Sequence, residues 1–154
     1  MNDFFASLYE WFGLISLYSK DLGDHLRGFD ITCSEYIGKQ LYVYVGWIMI
    51  IITIAFYILQ YYIVNSTRFN KKWHWWIMAL SIAGLNFLIA FGMPFADLQA
   101  GDYCNQLRIA TSDCIGFGIS NALWSFILFL LITSFPYPRK WAGHNVTNTT
   151  FWKP

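Results

Sequence analysis

Leu41 to Val64 runs for 24 residues, LYVYVGWIMIIITIAFYILQYYIV, without one charged side chain. A helix rises about 1.5 Å per residue, so the run reaches about 36 Å, enough to cross a hydrocarbon core about 30 Å thick with some tilt. A strand of this length with neither alternation nor a turn residue does not fit a soluble sheet. The rest of the chain agrees. Only 12% of its 154 residues are charged and 56% are hydrophobic, where soluble domains carry about a quarter charged residues. The net charge of +1 gives no argument for nucleic acid, and none is expected as a partner.

The pattern predicts an all-α integral membrane protein with three transmembrane helices plus an N-terminal amphipathic interfacial helix, forming a single membrane domain over residues 1–154. Residues 1–20 place Phe4, Leu8, Phe12 and Ile15 on one face, with Asp3, Ser7 and Glu10 opposite. Such a helix lies in the membrane interface or packs on a partner or on the chain's own spans. The segment lacks the basic n-region and cleavage site of a signal peptide, so no presequence is expected to have been removed before Met1. Residues 21–40, with Gly23, Gly28 and Gly38 among scattered charges, read as a connecting segment.

Thr32 and Glu35 have capping-box spacing. They extend the first span to residues 33–64, beginning near Cys33 about two turns before the membrane. The second span is expected over residues 73–93, capped by Asn70 and ended by Pro94. The third covers residues 114–135 with Asp113 as its N-cap. A polar tail occupies 136–154. Trp73, Trp75 and Trp76 fall where an interfacial aromatic belt belongs.

Charge sets the expected orientation. The link after the first span and the tail after the third hold Arg68, Lys71, Lys72, Arg139, Lys140 and Lys153, while all 9 acidic residues lie on the opposite side. The positive-inside rule then places the N-terminus outside and the C-terminus inside, in the cytoplasm or an organelle matrix or stroma. A mitochondrial or bacterial inner membrane suits this reading. Sequons at Asn65, Asn145 and Asn148 fall on the inner side and read as chance matches.

Polar residues inside spans are costly and usually have a reason. Ala79, Ala83, Asn86 and Ala90 form one stripe on the second span, and Gly118, Asn121, Ala122 and Ser125 form another on the third. The spans are consecutive and antiparallel, so Asn86 and Asn121 reach the same depth and can meet. Small residues admit close backbones, and the ordinary reading is a helix-packing seam. A polar path or quinone-facing patch is the functional alternative. Ser81, Gly84 and Gly92, roughly opposite, offer a second close contact, with Gly46 and Thr53 of the first span as partners.

Cys33, Cys104 and Cys114 all fall on the outer side. Cys104 and Cys114 flank one loop, and a disulfide between them is expected in an oxidising compartment. His25, His74 and His144 lie in different segments with no metal-ligand spacing. The sequence carries no phosphate loop, nucleophile elbow or paired-carboxylate pattern, so neither a catalytic residue nor a cofactor is expected beyond bound lipids.

The leading functional expectation is a non-catalytic subunit of a larger membrane complex, such as a respiratory, photosynthetic or ATP-synthase assembly, with other membrane subunits and lipids as partners. A homo-oligomeric pore or membrane-disrupting effector is the alternative. A thiol oxidoreductase using Cys33, Cys104 and Cys114 is a distant third, since it requires a second reactive pair. A tag fused after Pro154 should resist protease added to the outer face of intact membranes. Digestion from outside would break this three-span arrangement, as insertion of residues 4–18 as a short fourth span would.

Overall fold

The computed structural model describes residues 2–10, 16–63 and 72–134, which are helical with no strand among them. The elements are α1 (Asn2–Glu10), α2 (Lys20–Arg27), α3 (Leu41–Ile58, continued by a π-helical turn over Leu59–Ile63), α4 (Lys72–Ala100) and α5 (Thr111–Ser134). Three stretches are long and apolar enough to cross a membrane: Leu41–Ile63, Trp73–Ala100 and Thr111–Ser134. The polar link at 64–71, with Asn70, and the tail from 135 lie outside the described residues. So do the three sequons and all the inner-side basic residues except Lys72.

The chain divides into two compact units, one of Met1–Ile48 with Asn86–Asn121 and one of Met49–Leu85 with Ala122–Pro154. In the second, Tyr57, Tyr61, Trp75, Ala79, Ile82 and Phe129 form a buried cluster. Trp75 and Phe129 lie 5.5 Å apart and Tyr57 and Tyr61 4.9 Å apart. Hydroxyls in this unit turn back onto their own helices: Thr53 donates to the Met49 carbonyl at 2.7 Å and Thr133 to the Phe129 carbonyl at 2.9 Å. That satisfies these two hydroxyls without a neighbouring helix.

The first unit holds the N-terminal helices. Phe5, Ala6 and Tyr9 of α1 are buried while Phe4 is exposed, so the buried face is rotated from the expected Phe4–Leu8 stripe. The reason is a groove on α3: Phe5 packs against Gly46 and, edge to face at 5.9 Å, against Trp47. Gly46 therefore serves α1, not the second span. Residues 20–27, expected as connection, form α2. Ser19 is its N-cap, accepting from the Leu22 amide, and Gly28 closes it at φ +96°, where a side chain would be strained. Leu22 and Leu26 on its inner face are fully buried.

Three expected boundaries move. Residues 30–40 are not the first turns of α3. The Thr32 hydroxyl donates to Asp30 at 2.6 Å instead of capping a helix, and Cys33 has φ +58°, which costs about 1–2 kcal/mol in a right-handed helix. Pro94 does not end α4. A proline inside a helix costs about 3 kcal/mol, whereas ending the helix in apolar surroundings strands up to four carbonyls at several kcal/mol each. The helix continues to Ala100, where Gly101 at φ +76° and the bond from the Asp102 amide to the Asp97 carbonyl, 3.0 Å, terminate it. Asp113 sits in the first turn of α5 and reaches back to the Ala110 amide at 2.9 Å, the second half of a capping box, not an N-cap.

The disulfide also differs from expectation: Cys104 pairs with Cys33, and Cys114 is a buried free thiol. Because α5 starts at Thr111, it carries Cys114 into the unit's interior and away from the loop that holds Cys104. The bridge spans 71 positions with Cα atoms 5.3 Å apart and ties the loop before α3 to the loop after α4. Chain-entropy arguments give a crosslink of that length roughly 4 kcal/mol. Cys104→Ser should therefore lower the unfolding free energy in detergent by about 2–4 kcal/mol. Alkylation of the native wild type under non-reducing conditions should label neither bridged cysteine.

Candidate functional site

The polar residues of the first unit converge on Asn121. Its Nδ2 donates to the main-chain carbonyl of Asn86 at 2.9 Å, and its Oδ1 accepts from the Tyr9 hydroxyl at 2.6 Å. All three residues are fully buried. α5 is thus tied to α4 through the backbone carbonyl of Asn86, and α1 is tied to α5 by a bond no sequence pattern suggested. A clue was available: Phe5 and Tyr9, four residues apart, are the aromatic pair that α1 presents on one face.

The other expected seam residues distribute as follows. Gly118 is buried with the Phe87 ring and carbonyl directly over it, and Ala90 is buried. In the second unit, Ala79 joins the aromatic cluster, Ala83 and Ala122 are half-buried, and the Ser125 hydroxyl donates to the Ala122 carbonyl at 2.8 Å. Gly84 and Gly92 have open space where a Cβ would stand.

Around Asn121 the site is aromatic. Tyr9 stacks on Tyr42 at 5.6 Å, and Phe117 meets Tyr9, Tyr42 and Tyr18 edge to face at 5.2, 5.7 and 5.8 Å. The Tyr18 and Tyr42 hydroxyls are 3.0 Å apart. Close approach here depends on Gly116, whose Cα faces the Leu17 backbone so tightly that any side chain would collide. Ser19 closes the rim, bonding Asp113 through its amide at 3.2 Å and its hydroxyl at 3.0 Å.

Burial decides the chemistry of these phenols. It pushes Tyr9 above the ordinary phenol range, reinforced by Tyr18, and raises Tyr18 to about 12 despite the opposing bond with Tyr42. Both stay protonated under physiological conditions, Tyr9 donating to Asn121 and Tyr18 sharing a hydroxyl–hydroxyl bond with Tyr42, and neither acts as a base. Cys114 offers a thiol with no second cysteine beside it, since Cys33 and Cys104 are bonded to each other. No group of three or more His, Cys, Asp or Glu arranged for a metal occurs among the described residues.

No protein family, curated protein or solved structure compared with the chain matches it.

What remains is the local geometry, and its clearest competence is to lock helices together. An interhelical hydrogen bond in apolar surroundings contributes about 0.6–2 kcal/mol. Tyr9→Phe should cost about 1 kcal/mol and Asn121→Leu about 2–3 kcal/mol in a denaturant-induced unfolding titration. In the Asn121→Leu background, Tyr9→Phe should cost almost nothing more, which the double-mutant cycle reads directly.

Proposed function

We propose that the chain is a non-catalytic, multi-pass subunit of a larger membrane protein complex. The observation that carries this reading is the outward face of α4. Its spanning stretch is 22% buried, against 39% for each of the other two, and it exposes Ile77, Leu80, Gly84 and Leu88 in sequence. Gly84 leaves a gap between large aliphatic side chains, a shape that accepts a ridge from another helix more readily than it accepts fluid lipid.

Two further features support a scaffolding role over a pore. Asn86, Asn121 and Ser125 are fully buried, whereas a channel lined by repeated copies needs such residues turned toward the lumen. The Asn121 amide and the Ser125 hydroxyl bond their own chain, so they are already committed to holding the fold.

The orientation proposed is N-terminus outside and C-terminus on the basic inner side. The Cys33–Cys104 bridge supports it, because it joins loops on one side of two consecutive spans, and such bonds persist in oxidising compartments such as the periplasm. A bacterial or mitochondrial inner membrane is the proposed setting, with lipid filling whatever partner subunits leave open.

Gly84→Leu separates assembly from folding. On native gels of host membranes followed by mass spectrometry, the wild type should migrate with several different proteins and the variant should not. The isolated variant should unfold within about 1 kcal/mol of the wild type. A wild-type particle made only of copies of this chain would sink the proposal.

A further inference from the structure

His25 sits on α2 with 7% of its surface exposed, and neither ring nitrogen has a hydrogen-bond partner among the described residues. Its Nε2 lies 3.5 Å from Asp97 Oδ2 on α4, and the other oxygen of that carboxylate is 3.3 Å from Lys39 Nζ, in the segment leading into α3. One carboxylate thus faces two basic groups from two other elements. The three line a cleft of about 220 Å³ together with Asp30, Asp102 and Phe29.

The cleft's carboxylates do not form a cation site. Asp30 is occupied by the Ile31 amide at 2.7 Å and the Thr32 hydroxyl at 2.6 Å, and Asp97 is shared between Lys39 and His25. The histidine is the unspent group. We propose that His25 is an acid-sensitive latch: while neutral it holds α2 down on the first unit, and on taking up a proton it undocks α2 and exposes Leu22 and Leu26.

The geometry explains why protonation opens the latch instead of tightening it. Asp97 would welcome a charged imidazole, but Lys39 already neutralises it, and a ring that meets water only along the wall of the cleft gains little solvation for the new charge. Lys39, with 67% of its side chain exposed, can swing into solvent. His25, only 7% exposed, gains full solvation by moving the helix that carries it. Asp24 and Arg27 on α2 are engaged elsewhere, with Tyr36 and Glu10, so they do not offset the charge.

Burial holds the imidazole below its usual value, outweighing the opposing pull of Asp97, and Lys39 adds to the lowering. A base with a lowered folded value binds fewer protons docked than undocked. The docked state is therefore fully stable above the usual histidine value of about 6.5 and weakens as pH falls below it.

Hydrogen exchange of the α2 amides in the full chain, held in detergent or nanodiscs and corrected for intrinsic rates, tests this between about pH 7.5 and pH 5. The wild-type opening equilibrium should rise by up to about tenfold per pH unit below 6.5. His25→Gln should abolish that slope. Asp97→Asn, which removes the carboxylate that favours the proton in the docked state, should leave the onset near 6.5 and extend the slope to lower pH, so that more opening accumulates by about pH 5. A flat wild-type profile, or a slope that survives in His25→Gln, overturns the latch. Should His25→Gln fail to fold, the imidazole resonance of the His74→Gln/His144→Gln double variant gives the answer alone: a midpoint below 6.5 is expected, and one at or above it refutes the proposal.

Discussion

Asn121 has to satisfy both ends of its amide where water is excluded, and the first unit is arranged so that it can. Its oxygen takes the Tyr9 hydroxyl and its nitrogen takes the Asn86 carbonyl, so one side chain fixes α1, α4 and α5 at a common level. Apolar packing alone is tolerant of small slips along a helix axis. A buried amide is not, because a shift of one residue would leave two polar atoms unpaired at a cost of several kcal/mol. The aromatic stack of Tyr9, Tyr42 and Phe117 supplies contact area around this point, and the amide supplies the register.

What could be read from the sequence follows the same division between local and distant causes. The three long helices were legible because an uncharged run of over twenty residues has few alternatives. Helix ends were not: Pro94 looks like a terminator until the stranded carbonyls it would create are weighed against the one bond it lacks. α2 was hidden by its glycines and charges, although Ser19 and Gly28 bracket it with the usual N-cap and C′ residues. The rotation of α1 and the Cys33–Cys104 pairing were out of reach, since both depend on which distant segments meet. Asn86 and Asn121 could be set at one depth from the sequence for the opposite reason: a short connection between antiparallel helices carries depth information, and a contact across 112 positions does not.

The acidic residues illustrate how one feature can serve two ends. Their segregation to one side reads as an orientation signal, yet most of those described are also structural. Asp113 holds Ser19 and the start of α5, Asp21 accepts the Arg108 amide at 2.9 Å, Glu10 clamps Arg27, and Asp97 holds Lys39. Because the short segments around the ends of the long helices cannot form a core of their own, charged hydrogen bonds do the connecting there. Exposed pairs such as Glu10–Arg27 add little energy individually. Their value lies in choosing one arrangement of short segments over others.

The separation of Tyr9 and Asn121 by 112 positions has a consequence for how the chain is made. At about 5–20 residues per second, roughly 6–20 s pass between synthesis of the donor and of its acceptor. Throughout that interval the Tyr9 hydroxyl lacks its Asn121 acceptor, even after α3 has supplied Gly46 and Trp47 to Phe5 and Tyr42 to the Tyr9 ring. α1 is therefore seated in two steps: its rings can pack on α3 as soon as that helix is made, and the hydroxyl bond that sets its register forms only when α5 arrives.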